Sequence, residues 1–329
     1  RLIGRMQLSL GFGRGLPWLS GEKLGGNMTY SIVARDPLTG ELGIAVQSHW
    51  FNVGAAVIWA EAGVGAVAVQ SDADPWYGAG LDRLRGGMSA AAALADLLAT
   101  GPRPEAQQLA IADPAGGIAA HTGAACLAEA GHTVGPGVSV QANMMLKATV
   151  WPAMAAAFER ARGPLAERML AALEAAEACG GDLRGRQSAA LVVVGPRATG
   201  NRRLDRPVDL RVEDHPEPLD ELGRLLRFRR AVTQADQGFD LLAAGDPGGA
   251  AAAFAAAVET APALVELKAW LAWALLKARR EDAALSHLSS VLAADGRWAV
   301  LLERLAAAEG VALPARVAAR ISHAARPVG

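Results

Sequence analysis

The 329-residue chain is poor in cysteine, in net charge and in uninterrupted apolar runs, and each shortage excludes something. Its two cysteines, Cys126 and Cys179, are far apart and outside any Cys-x-x-Cys pair. That leaves no zinc knuckle, redox motif or disulfide framework, and points to a reducing, cytoplasmic setting. Thirty-two Lys+Arg against thirty-three Asp+Glu give a formal charge of −1 with no long basic run, so no nucleic-acid partner is expected. The most apolar stretch, residues 52–70, carries Glu61 at its middle and repeated glycines. A bilayer span would bury that carboxylate at its centre, so two buried strands turning near Ala62-Gly63 are the better reading, and no membrane partner is expected. Arg5 and Arg14 break the apolar run that a secretory signal needs. His121, Cys126 and His132 have no standard zinc spacing and no evident fourth ligand, so neither a metal nor another cofactor is expected.

What is present is core material, 52% apolar side chains, enough for two domains. Residues 1–28 are basic and glycine-rich and predict no ordered domain. Gly25-Gly26 can be encoded by a purine-rich stretch that resembles a ribosome-binding site ahead of Met28, so Met28 is read as the natural start and residues 1–28 as a leader that is non-native or disordered. From Thr29 the pattern becomes short β-type runs: Tyr30–Ala34, a turn at Asp36-Pro37-Leu38-Thr39-Gly40, then Leu42–Gln47. Helices are expected at Leu81–Arg85, Ala90–Ala99 after the N-cap Ser89, Trp151–Arg162 and Pro164–Cys179. Strands are expected at Gln108–Ala112, Ile118–His121, Val138–Asn143, Ala189–Val194 and Val208–Val212. Strands, helices and strands again without βαβ alternation give an α+β layered domain over 29–228.

Residues 229–329 are helical and rich in Ala and Leu. At an offset of 34, Gly238 matches Ala272, Leu241 Leu275, Ala250 Ala284, Phe254 Leu288, Ala257 Val291 and Pro262 Gly296. The length and the small/large alternation resemble the tetratricopeptide repeat, with two helix pairs and a last helix near Trp298–Ala308. An ordinary Ala-rich bundle is the alternative. Either serves a protein partner or self-association.

Among residues able to carry chemistry, Thr29 stands out because it follows a Met and opens a strand. Once that Met is removed, the α-amine, with a reference pKa near 7.7–8.0, can take the hydroxyl proton of the same residue. The blocks MTYSIVARDPLTGELGIAVQS, VGAVAVQSDADPWYG, HTGAAC, VQANMM, GDLRGRQSAAL and DLRVEDHPEPLDEL resemble the bacterial and archaeal DUF1028 family, placed in the N-terminal-nucleophile (Ntn) hydrolase superfamily. The resemblance covers about residues 28–226 and implies a four-layer αββα sandwich followed by the all-α module. It also implies hydrolysis of a small amide, a peptide or a related acyl bond by Thr29.

Carried over, Ser31 two positions along the same face hydrogen-bonds the amine or the substrate, or is a strand serine satisfied by backbone. Ser48-His49 stands where the family commonly has Ser-Lys, so His49 lowers the amine pKa only when it is protonated. Asn143 offers an oxyanion donor, with Ala142 where the family has Gly, a methyl that narrows the backbone approach. Asp182, Arg186, Gln187 and Ser188 form a dense polar group in which Arg186 either binds a substrate carboxylate or pairs Asp182. Gln70, Asp72, Asp74 and Tyr77 cluster after the fourth strand as substrate contacts; the paired acids at 72 and 74 suggest general acid/base or metal chemistry, but without a nearby His a solvated turn is the better reading. The rival class is a non-catalytic binding or assembly protein that keeps the sandwich as a scaffold.

Overall fold

A computed structural model describes residues 29–70 and 76–324, with the side chains of residues 76 and 77 excepted. The leader expected at 1–28, together with Asp72 and Asp74, lies outside the described residues. By its contacts the chain divides after Pro218, and Leu219 opens the second unit.

The first unit opens on the expected hairpin, β1 (Tyr30–Arg35) and β2 (Leu42–Ser48), with Tyr30 opposite Gln47. Asp36 makes the turn: its Oδ1 accepts from Leu38 N at 2.8 Å and Thr39 N at 3.0 Å, and Gly40 supplies a φ of +73°. The apolar stretch at 52–70 does become two strands, β3 (Ile58–Glu61) and β4 (Gly65–Gln70). Its first residues form one helical turn instead, α1 (Val53–Ala56). Then come α2 (Trp76–Arg85), α3 (Ala90–Thr100), β5 (Gln108–Ala112), β6 (Ile118–Thr122), β7 (Gly131–Gly135) and β8 (Val138–Ala142). After them run α4 (Val150–Arg160), α5 (Leu165–Ala178), β9 (Ser188–Val194), α6 (Arg202–Asp205) and β10 (Val208–Val212). Ser89 caps α3 as expected, accepting from Ala92 N at 3.3 Å. Strand β7 had no expectation, because GHTVG is flanked by glycines and alternates half-buried with exposed residues at a sheet edge.

All pairings are antiparallel and form two sheets, ordered β10-β9-β2-β1-β8-β7 and β3-β4-β5-β6. Strand alternation gives each sheet two faces. Val33, Leu42, Ile44, Val46, Ala190 and Val192 of the first sheet share one buried cluster with Ala60, Ala66, Ala68, Ala110 and Ala112 of the second. The opposite face of the second sheet, with Val67, Val69, Leu109 and Ile111, packs on Leu81 and Leu84 of α2 and Leu94 and Leu97 of α3. Helices α4 and α5 lie on the first sheet, where a Cβ at Gly43 would come within 2.5 Å of Met169 Cε on α5. Helix and strand touch there because the side chain is missing.

The second unit contains most of α7 (Pro218–Ala243), then α8 (Pro247–Thr260), α9 (Val265–Lys277), α10 (Glu281–Ala294), α11 (Arg297–Glu309) and α12 (Ala315–Ala324). Residue 228, where a boundary was expected, falls inside α7, and α12 follows the last expected helix. Residues matched at offset 34 are buried in both copies: Ala250 and Ala284, Phe254 and Leu288, Ala257 and Val291. A Cβ at Gly238 would lie 2.8 Å from the Phe254 ring, so α7 and α8 cross closely. Among the described residues, no helix is long and apolar enough to cross a membrane.

Candidate active site

The space between the two sheets changes character along its length. Register places Ser188, Ser48 and, continuing the ladders by one residue, Thr29 and Asn143 in one row on the inward face of the first sheet. The next row in carries Ala190, Val46, Ser31, Gln141 and His132. Facing them on the second sheet is the row Gln70, Gln108 and Thr122. One end of the space is therefore a polar chamber, and its residues hydrogen-bond across the sheets. Gln70 Nε2 and Gln141 Nε2 each donate to Ser31 Oγ at 2.6 Å. Asn143 Nδ2 donates to Gln70 Oε1 at 2.8 Å and Gln108 Oε1 at 3.0 Å. Gln108 Nε2 in turn donates to Ala142 O and Thr122 Oγ1, each at 2.9 Å, and Ser139 Oγ donates to Gln141 Oε1 at 3.0 Å.

Thr29 lies at the mouth of this network. Its carbonyl accepts from Asn143 N at 3.1 Å, which fixes the backbone, while its Oγ1 is fully buried and has no hydrogen-bond partner among the described residues. A buried hydroxyl left unpaired is destabilising by about 1–3 kcal/mol. Ser31, by contrast, accepts two amide donors, which fills both lone pairs of its oxygen.

The geometry bears on three sequence expectations. Both Nδ2 protons of Asn143 are committed to glutamine carbonyls, so this side chain is in place for an oxyanion but already engaged. Ala142 pairs with Tyr30 and by alternation faces the helices, so its methyl does not narrow the approach to Thr29. Arg186 does not pair Asp182: it bonds Glu177 at 3.5 Å and Glu217 at 2.7 Å. The partner of Asp182 is Arg184, through Nε at 3.0 Å and Nη2 at 2.7 Å, with the carboxylate fully buried. Arg184 Nη2 also donates to Ser48 Oγ at 3.3 Å, and Asp182 Oδ2 accepts His49 N at the same distance. The fixed cation next to the Thr29 row is thus Arg184, and the His49 side chain is exposed.

Ser188 Oγ bridges Trp50 O and Val53 N, and Gln187 Nε2 donates to Asp214 Oδ1 at 3.0 Å, so both anchor loops. Tyr77 is on α2, its side chain outside the description. His121 Nε2 is 2.9 Å from Pro104 O and Cys126 Sγ donates to Gln107 O, so the two do not converge on one point. Among the described residues no three His, Cys, Asp or Glu side chains come together as metal ligands.

Burial pushes the Tyr30 phenol well above its usual pKa, helped by Glu177, whose Oε2 accepts its hydroxyl at 2.7 Å. Desolvation, and secondarily His121, lowers His132, whose Nδ1 lies 2.8 Å from Thr122 Oγ1. Gln108, Gln141 and Arg184 were missed by sequence reasoning. A signal for the glutamines was there: apolar strands carry Val-Gln at their last residues or one before, at Val46-Gln47, Val69-Gln70 and Val140-Gln141, and β5 starts on Gln108.

The model of DUF1028, described as a family of unknown function, matches residues 29–222. The crystal structure of a DUF1028 protein from Silicibacter pomeroyi is similar, with 32% identity and a TM-score of 0.54 over 61% of this chain and 88% of the other. No curated protein matches.

Proposed function

The chain belongs to the DUF1028 family, and on that premise we propose that it is an N-terminal-nucleophile hydrolase that cleaves an amide or related acyl bond with Thr29. In this reading the paired sheets and their flanking helices are the αββα sandwich of that superfamily. The observation that carries the reading is the buried, unpartnered Thr29 Oγ1 beside an otherwise satisfied polar network. Stability alone gives no reason to keep such a hydroxyl, whereas a nucleophile must have its lone pairs uncommitted.

The mechanism needs Thr29 to carry a free amine, produced by initiation at Met28 and loss of that Met, or by cleavage before Thr29. The amine takes the Oγ proton as Oγ attacks the carbonyl carbon. The tetrahedral intermediate collapses, the ammonium returns its proton to the leaving nitrogen, and an ester on Thr29 remains. Water, deprotonated by the same amine, then releases the acid and restores the hydroxyl. Arg184, its charge matched by Asp182, donates to Ser48 Oγ and so holds that hydroxyl beside Thr29, at the place where a protonated His49 was expected to act. The oxyanion recruits Asn143 Nδ2 by displacing a glutamine carbonyl, since a charged acceptor binds an N–H about twice as strongly as a neutral one. Apart from the Arg184–Asp182 pair and His132 at the rim, the described groups of the chamber are neutral amides and hydroxyls, which suits a small uncharged amide or a peptide bond. The tetratricopeptide-like second unit binds a protein partner or a second copy, and the setting is cytoplasmic.

The test is expression from Met28, N-terminal sequencing, and assay against a panel of amides and lactams. Thr29 should be the first residue of active protein, Thr29→Ser should retain turnover, and Thr29→Ala should lose it by on the order of 10³-fold or more. Equal turnover by wild type and Thr29→Ala would remove the mechanism and leave a binding scaffold.

A further inference from the structure

The second unit carries a row of aromatic rings that crosses three of its helices. Phe239 on α7, Trp270 on α9 and Trp298 on α11 follow one another with ring centroids 5.1 and 6.5 Å apart and planes at 76° and 87°. The fully buried Phe254 of α8 backs the row, its ring centroid 5.1 Å from that of Phe239 and its plane at 78°. Phe239 is 38% exposed and both indoles are half-buried, so one side of the row stays open to solvent. Perpendicular rings make corners, and a group seated in a corner lies against two ring faces at once. Those faces are negative, because the quadrupole of an aromatic ring puts the positive charge at its edge.

The charges around the row add to this sign. Glu266, exposed one turn before Trp270, accepts the indole Nε1–H of Trp270 at 3.1 Å and makes no ion pair among the described residues. Asp240, exposed beside Phe239, makes none either. Within two turns of these rings on their own helices, the cations are Lys268, Lys277, Arg297 and Arg304. Arg297 is held by Asp295 at 2.5 Å and Lys277 by Glu309 at 2.6 Å. Lys268 acts on His287 of α10, and Arg304 stands about 120° round α11 from Trp298. The described cations that do cover rings are elsewhere, Arg168 over Phe158 and Arg224 over Phe228. Ring faces and two carboxylates are thus left without a cation.

We propose that this row binds a small quaternary ammonium, with its methyl groups in the corners at Trp270 and its charge balanced by Glu266 and Asp240. Such a cation has no N–H to satisfy, so ring faces and nearby carboxylates replace its weak hydration. A primary ammonium is strongly hydrated and gives up more on leaving water. The reading of Thr29 as a nucleophile plays no part in this site.

Calorimetric titration of the full chain with choline tests it, beside 3,3-dimethylbutan-1-ol, which has the same shape without the charge. Choline should bind saturably and the alcohol at least about fivefold more weakly, a ratio within reach of two cation–π contacts. Trp298→Leu should weaken choline by about as much. Glu266→Gln alters an exposed side chain and keeps an acceptor for the Trp270 indole, so the fold is untouched and choline should weaken by about threefold through the lost charge. N-acetyl-trimethyllysine amide presents the same cation on a side chain. Absence of saturable choline binding, equal affinity for choline and the alcohol, unchanged choline affinity in Glu266→Gln, or binding of the trimethyllysine derivative alone would each overturn the proposal.

Discussion

The two halves of the space between the sheets are made from opposite materials within one set of strands. Past Val33 and Val46 it is filled by Leu42, Ile44, Val192 and the alanines of β4 and β5. On the other side of Ser31 it is filled by hydroxyls and amides, equally buried. The apolar half holds the sheets together by removing surface from water and needs no particular partner. The polar half must offset the desolvation of every group with a hydrogen bond, and it does so for Ser31, Gln70, Gln108, Gln141 and Asn143. Among the described inward-facing residues of the chamber, Thr29 alone has a buried side-chain atom left over. Gln47, also unsatisfied, faces the other way by strand alternation. The difference separates a half selected for packing from a half organised around one hydroxyl.

The largest effect that could break this comparison is a split between activity and stability at Thr29. Replacing the orphaned hydroxyl by a methyl of the same shape, Thr29→Val, should abolish turnover, by on the order of 10³-fold or more, while leaving the urea midpoint equal or higher. A large loss of stability would mean that the hydroxyl has a structural partner and that the two halves do not differ in kind. Next comes the apolar half, where Ile44→Ala should destabilise by about 2–5 kcal/mol by urea titration, because the fully buried side chain leaves a cavity. Turnover at saturating substrate should stay within a few-fold. Smaller again, Ser31→Ala removes the acceptor of two amide donors and should be destabilising by about 1–3 kcal/mol. Unlike Ile44→Ala it should also reduce turnover, and a Ser31→Ala protein with full activity would detach the network from the chemistry.

How much of this could be read in the sequence follows from what each feature depends on. The β1–β2 hairpin was legible because Asp36, Thr39 and Gly40 encode the turn locally, and α3 because Ser89 encodes its cap. Thr29 could be singled out as the proposed nucleophile because one that is its own base needs only a position after Met. The chamber was not legible, since Gln141 and Ser31 are 110 residues apart and share a row only through strand register. The choice between Arg184 and Arg186 was equally hidden. Both follow Asp182 closely, and only a turn in which Arg184 N also donates to Asp182 Oδ1, at 2.9 Å, brings the nearer one back onto the carboxylate. Strand β7 escaped because an edge strand of Gly, His and Thr has no apolar alternation to reveal it.

The smallest expected effect is at the rim of the polar half, where the network reaches His132 on β7. Gln108 Nε2 donates to Thr122 Oγ1, and Thr122 is placed to donate to an unprotonated His132 Nδ1 at 2.8 Å. Desolvation first, and the neighbouring His121 second, disfavour the imidazolium in the folded state, so the folded pKa lies below the unfolded value of about 6.5. With a depressed folded pKa the contribution is present above the unfolded pKa and is lost as pH falls through the folded one. Urea midpoints should therefore decline more steeply in wild type than in His132→Gln between about pH 7 and 5, with His121→Gln giving a smaller relief in keeping with its secondary part. Parallel curves for wild type and His132→Gln would show that the network ends at Thr122 and that the rim belongs to neither half.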